Sequence, residues 1–130
     1  MTSVLFDSDI LIEHLRQRNP EISDGFDALV ENDASLFCSP VSVAELWNGV
    51  RPRETVALES LFSILACLPI DAAIGKQAGE YLRQYQKSHG IEIADALLAA
   101  TATVHGLELW TRNQKHYPMR IRFFSNRGAQ

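Results

Sequence analysis

The sequence predicts an α/β fold, a three-layer α/β/α sandwich around a mostly parallel sheet of four to five strands, on three observations. Short β-branched or aromatic runs alternate with longer stretches of helical periodicity. The segments between successive strands are long enough to be helical crossovers, which parallel strands require. No repeat, low-complexity tract or Gly/Ser linker divides the 130 residues, so they read as a single domain, 1–130. A chain of that length buries about 65–70% of the surface its unfolded form exposes and needs neither disulfide nor structural metal to fold.

Val4-Leu5-Phe6 is the first strand, and Ile10, Leu11, His14 and Leu15 follow at helical spacing. Phe26, Leu29 and Val30 share one face of a second helix running from Ile22 to Val30. Ser35-Leu36-Phe37-Cys38 reads as a strand stopped by Ser39-Pro40. A helix then opens near Ser42 and stops around Gly49, before Pro52. From about Glu54 to Leu65 another helix keeps Ala57, Leu58, Leu61, Ile64 and Leu65 in phase. Cys67-Leu68-Pro69-Ile70 is a short strand whose proline marks an edge or a strand end. Helices over Ala72 to Ser88 and Ala94 to Val104 are closed by His89-Gly90 and His105-Gly106. Leu107-Glu108-Leu109-Trp110 and Ile121-Arg122-Phe123-Phe124 supply the last strands.

Composition excludes several classes of function. The best uncharged apolar run, Leu61 to Ile70, is far short of the ~18–20 residues of a membrane span. The opening Met1-Thr2-Ser3-Val4-Leu5-Phe6-Asp7 has no basic region and carries a carboxylate where a signal peptide is apolar, so a cytoplasmic protein is expected. Cys38 and Cys67 lie in apolar stretches and read as two free, buried thiols. A net charge of −4 argues against nucleic-acid binding by bulk electrostatics, so any such role needs a local basic patch.

In parallel α/β sheets ligands bind beyond the carboxyl ends of the strands. Asp7 directly follows the first strand, with Ser8 and Asp9 behind it at the start of a helix, where Asp and Ser also serve as caps. Ser42-Val43-Ala44-Glu45 lies just past the second strand and matches a capping box, with Ser42 as N-cap and Glu45 reaching back. Asp95 stands in the first turn of an Ala-rich helix, where the helix dipole favours an acid. Capping accounts for each acid singly and leaves unexplained why Asp7, Glu45 and Asp95 share one sheet edge. Two carboxylates ~4 Å apart at an effective dielectric of 20 repel by about 4 kcal/mol, which a divalent cation would relieve. Carboxylates without His or Cys select a hard ion, Mg²⁺ or Mn²⁺ over Zn²⁺. Thr111-Arg112-Asn113 completes the edge after the Leu107–Trp110 strand, Asn113 serving either a metal-bound water or the next turn. The histidines, His14, His89, His105 and His116, fall at unrelated spacings and support neither zinc nor a Ser/His/Asp arrangement.

With those residues in place, the chain resembles the PIN-domain nucleases, and among them the VapC-type toxins of bacterial toxin–antitoxin pairs. Four segments carry the likeness in order: Val4 to Ile12, Ser42 to Val50, Ile93 to Ala102 and Leu109 to Tyr117. The resemblance implies Asp7, Glu45 and Asp95 as catalytic, metal-binding carboxylates, with Ser8, Asp9, Thr111 and Asn113 as supporting polar groups. It departs where many members carry a fourth acid and this chain has Asn113, which leaves open whether Asp9 compensates. It further implies Mg²⁺- or Mn²⁺-dependent endoribonuclease activity, homodimerisation and a cognate antitoxin partner. Arg16, Arg51, Arg53, Arg112 and Lys115 are the candidate RNA-phosphate contacts. Trp47 is a candidate base-stacking group, whereas Tyr81 and Tyr85, four apart on an apolar helix, read as packing.

Two other readings compete. Asp7-Ser8-Asp9 after a strand also looks like the Asp-x-Asp opening of haloacid-dehalogenase-type phosphatases, with Asp7 as nucleophile and Asp9 as acid/base. A PIN-like fold could also serve as a non-catalytic binding module.

Overall fold

β1 (Ser3–Phe6) is flanked on both sides by parallel strands, pairing with β2 (Ser35–Cys38) and with β4 (Glu108–Trp110). This is a computed structural model, and it describes residues 1–126; residues 127–130 of the expected 1–130 domain lie outside that range. Among the described residues the sheet has four strands in the order β3-β2-β1-β4, with β3 (Ala66–Cys67) at the edge beside β2. Six α-helices make the crossovers: α1 (Ser8–Arg16), α2 (Pro20–Glu31), α3 (Pro40–Gly49), α4 (Thr55–Ser63), α5 (Ala72–His89) and α6 (Ile93–His105). Single 3₁₀ turns at Pro52–Glu54 and Gln114–His116 lead into α4 and out of the site described below.

Local chemistry sets the helix ends. Asp7 caps α1 through its side chain, Asn19 and Ser39 cap α2 and α3 ahead of Pro20 and Pro40, and Asp71 caps α5 by accepting from Ile74 N–H at 3.0 Å. Gly90 and Gly106 end α5 and α6 at φ 64°, a left-handed conformation that costs glycine nothing.

Strand alternation divides the interior into two layers. Val4 and Phe6 face α1–α4 with Leu11, Phe26, Leu46 and Leu58, whereas Leu5 and Leu109 face α5 and α6 with Ile74, Ala96 and Ala99. Both sheet faces are therefore covered, as in parallel sheets generally. Phe6 lies between the rings of Phe26 (5.2 Å) and Trp110 (5.7 Å), and Trp110 continues to Phe124 at 4.9 Å. His14 stacks on Phe26 at 4.0 Å. Tyr81 bonds Thr103 through its hydroxyl at 2.7 Å and ties α5 to α6, so the packing role expected for it holds.

Four expectations need correction. α3 begins at Pro40, because Ser39 rather than Ser42 takes the N-cap. The edge strand is the two residues Ala66–Cys67 rather than Cys67–Ile70. The segment Ile121–Phe124 makes only an isolated parallel bridge, Leu109↔Phe123, with hydrogen bonds confined to Leu109, so it crosses the sheet edge without joining it as a fifth strand. Both cysteines are free as expected, but only Cys38 is buried; Cys67 is exposed because it lies on the edge strand. Burial and the neighbouring Cys67, its register partner, push the Cys38 thiol up to about 12. No helix among the described residues is long and apolar enough to cross a membrane.

The two-layer core makes a direct prediction. Phe26 is 1% exposed and contacts both Phe6 and His14, so Phe26→Ala should lower the unfolding free energy by about 3–5 kcal/mol in urea titration. A loss below about 1 kcal/mol would show that this layer closes around the vacancy.

Candidate active site at the carboxyl edge of the sheet

Because Phe6 pairs with Trp110, the next residues of the two strands, Asp7 and Thr111, leave the sheet side by side. The Asp7 amide extends the ladder by donating to Trp110 C=O at 2.9 Å. One carboxylate oxygen of Asp7, Oδ2, then accepts the Thr111 hydroxyl at 2.8 Å and the Tyr117 hydroxyl at 2.7 Å; the other, Oδ1, accepts Ser8 N–H at 2.7 Å. Thr111 and Tyr117 are both buried. Burial, with Asp7 next, drives the Tyr117 phenol far above its ordinary range, so it stays a neutral donor. Asp7 is thus both cap and site residue.

Asp9 leans toward the same strand end. Its Oδ2 accepts Arg112 N–H and the Asn113 side-chain amide, each at 3.0 Å, so Asn113 orients Asp9. Its Oδ1 is buried and has no protein partner. Burial first, and then the charge of Asp7, push the Asp9 carboxyl up to about 6. Asp95, in the first turn of α6, is also raised, chiefly by burial; the Glu92 amide offsets part of the rise and Asp7 adds to it. Asp7, Asp9, Asp95, Thr111, Asn113 and Tyr117 therefore form one electrostatic group.

Glu45 joins it through Ser8. The Ser8 hydroxyl lies 2.6 Å from Glu45 Oε1 and 2.9 Å from the hydroxyl of Ser42. The capping box expected at Ser42 and Glu45 is not formed: Ser42 is buried inside α3 and turned to α1, and Glu45, one turn further on, faces the groove. That groove, a cavity of about 390 Å³ by its accessible space, is walled by Ser8, Asp9, Ile12, Arg16, Glu45 and Leu46. A slightly larger cavity of about 430 Å³ lies by the amino ends of β1 and β2, among Met1, Ala28, Leu29 and Phe124, and carries no carboxylate.

The basic residues separate into two groups. Arg16 is bound to Glu54 at 2.9 Å, both side chains 16% exposed, and Arg112 lies 3.6 Å from Glu13, which also pairs with Arg18. Arg16 is thus engaged by an acid and largely enclosed, whereas Arg112 is exposed like Arg51, Arg53 and Lys115. Tyr117 and Glu13 are site-shaping residues that sequence reasoning did not single out, and Ser42, expected only as a cap, shapes the site through Ser8; what reveals Tyr117 is the β1–β4 register, which no local pattern encodes.

Among the described residues no three His, Cys, Asp or Glu side chains already close on one point as a metal cage. The donors fit a hard cation nonetheless: they are all oxygens, one of them is the unpartnered Asp9 Oδ1, and Asp7 raises the proton affinity of both Asp9 and Asp95. Mg²⁺ keeps several waters and needs only one or two protein carboxylates.

The PIN domain family matches residues 4–120 of this chain. Ribonuclease VapC10 of Mycobacterium tuberculosis is 40% identical over 119 residues, covering 89% of this chain and 86% of that protein. Toxin FitB of Neisseria gonorrhoeae is 35% identical over 124 residues, covering 85% and 87%. In structure, the chain superposes on a toxin–antitoxin complex from Klebsiella pneumoniae with a TM-score of 0.73 over 95% of this chain and 97% of that one; at 23% identity the likeness is one of fold.

The raised Asp9 carboxyl gives a pH signature. A folded-state value near 6 against an ordinary 3.8 means that protonation favours the folded state, a contribution present below pH ~4 and lost as pH rises through 6. In EDTA, wild type should therefore lose melting temperature relative to Asp9→Asn between pH 4 and 7. Parallel curves would contradict this assignment.

Proposed function

The chain belongs to the PIN-domain family, in its VapC branch, and on that premise we propose that it is a Mg²⁺- or Mn²⁺-dependent endoribonuclease, the toxin of a toxin–antitoxin pair. The observation that carries this reading is the gathering of Asp7, Asp9 and Asp95 at one sheet edge, where burial first, and the charge of Asp7 after it, make Asp9 and Asp95 harder to ionise. Crowded carboxylates of this kind are relieved by a divalent cation, whose charge would in turn attract a phosphodiester.

Asp7 and Asp95 are the residues that would hold the ion, and Glu45 would bind it or orient the attacking water. A bound Mg²⁺ supplies a water of lowered pKa and stabilises the charge that develops on phosphodiester oxygens. Ser8 steers Glu45 toward the groove, and Ser42 fixes Ser8. The water would attack phosphorus in line, forming the new P–O bond as the bond to the leaving oxygen breaks. Asn113 and the Arg112 amide hold Asp9, whose free oxygen supports the hydration shell. Attack by water makes the 2′-hydroxyl dispensable as nucleophile, so preference for RNA would come from groove shape and 2′-OH contacts.

Arg51, Arg53, Arg112 and Lys115 are the phosphate contacts this reading favours, since all four are exposed whereas Arg16 is held by Glu54. Trp47, 38% exposed on α3, is the base-stacking candidate of this reading. The toxin role, with a cognate antitoxin, rests on the relatives named a ribonuclease and a toxin. Homodimerisation and a cytoplasmic location complete the proposal. The aspartyl-phosphatase alternative would use Asp9 as its acid/base; what favours the nuclease reading over it is the PIN-domain match across residues 4–120.

Asp95→Asn is the cleanest test, since its carboxylate accepts only a long 3.5 Å bond from Glu92 N–H. Asp7→Asn would instead set an amide against two buried hydroxyl donors and cost about 1–3 kcal/mol in stability. Antitoxin-free protein should cleave an RNA pool with Mg²⁺ or Mn²⁺ and stop in EDTA. Loss of an outer partner of a metal costs 10–100-fold, so Asp95→Asn should lower the rate by at least about 100-fold at unchanged melting temperature. Cleavage that survives in this variant would place the chemistry elsewhere, and an inactive wild type that still folds would favour the binding module. Arg51→Ala with Arg53→Ala should raise KM and flatten its salt dependence while sparing kcat.

A further inference from the structure

An ionised carboxylate offers about four lone-pair positions, two on each oxygen. At Asp7 the hydroxyls of Thr111 and Tyr117 fill both positions of Oδ2, at 2.8 and 2.7 Å, while Oδ1 takes only Ser8 N–H and keeps one position open. The Thr111 proton is directed to Asp7, because Asp9 Oδ2 lies further off at 3.5 Å and the Asn113 amide donates into the Thr111 oxygen at 3.1 Å. Tyr117 has one proton to give and gives it to the same atom. Tyr117, 4% exposed, cannot swing away without leaving a buried donor unsatisfied, and Thr111, 7% exposed, could turn only to the longer 3.5 Å contact with Asp9 Oδ2.

We infer that Thr111 and Tyr117 are specificity-determining residues that restrict Asp7 to one-oxygen ligation and so select a small octahedral cation against calcium. Mg²⁺ demands compact octahedral geometry and takes single carboxylate oxygens, whereas Ca²⁺ gathers 6–8 oxygens and draws on bidentate carboxylates to reach that number. With Oδ2 closed by two hydroxyls, Asp7 cannot supply the second oxygen. Tyr117 reaches Asp7 from 110 residues away, and its ring is seated against Phe123 at 6.5 Å, so the block is built into the core. The inference rests on the reading above that Asp7 holds a divalent ion.

Calorimetric titration of the full chain with Mn²⁺ and, separately, with Ca²⁺ tests it without any RNA. Tyr117→Phe keeps the ring and deletes the one hydroxyl, opening a lone pair on Oδ2. The ratio of Ca²⁺ to Mn²⁺ affinity should rise about 5-fold, the worth of one hydrogen bond. Thr111→Val should shift it in the same direction, and Thr111→Ser, which keeps the hydroxyl, should restore the wild-type ratio. A purely structural role would lower melting temperature or weaken both ions together; an unchanged or reversed ratio in folded Tyr117→Phe overturns the inference alone. Wild type that binds neither ion overturns the metal reading itself.

Discussion

The pairing of β1 with β4 at the register Phe6↔Trp110 is the constraint on which the site depends. A slip of β4 by one residue would turn Trp110 out of the α1–α4 layer and send Thr111 to the opposite face. The aromatic contacts of Phe6 with Phe26 and Trp110 resist that slip, so the same packing that stabilises one core layer holds Asp7 beside Thr111. Among the described residues β4 is the last strand in sequence and β1 the first, and the crossover from β3 to β4 delivers α6 and Asp95 to the same edge.

The site is assembled against its own electrostatics. Asp9 and Asp95 are partly buried near Asp7, and burial outweighs the amide donors that favour their charged forms. Elsewhere the fold neutralises its acids: Glu54 is held below its ordinary range chiefly by its hydrogen bond from Arg16, and Glu13 has two arginines. At the carboxyl edge the hydrogen bonds come from neutral hydroxyls and amides, with only smaller help from the charges of Arg112 at Asp9 and His116 at Asp95. A site arranged this way sacrifices stability in the absence of a cation and offers a cation what bulk water cannot.

Much of this was legible in the sequence, and what was not has definable reasons. Strand and helix order follow from local periodicity, so Val4 to Phe6, Ser35 to Cys38 and the Gly90 and Gly106 stops stand where expected. Asp7 and Asp95 announce themselves because strand ends and helix starts are local features. Competition among equivalent local signals is harder: Ser39 and Ser42 both offer an N-cap, and the better placed Ser39-Pro40 prevails, which frees Ser42 for Ser8. The exposure of Cys67 depends on β3 being an edge strand two residues long. Pairings across the chain were out of reach, whether Arg16 with Glu54 over 38 positions or Tyr117 with Asp7 over 110, because register and crossover alone bring them together.

The most direct test of the central claim is an anomalous-scattering map from crystals of the antitoxin-free protein soaked in Mn²⁺. The account predicts a peak about 2.0–2.2 Å from Asp7 Oδ1 and within reach of the Asp95 carboxylate, with Oδ2 of Asp7 still bonded to Thr111 and Tyr117. A map with no peak at this edge, or with its peak at residues outside the cluster, would contradict it.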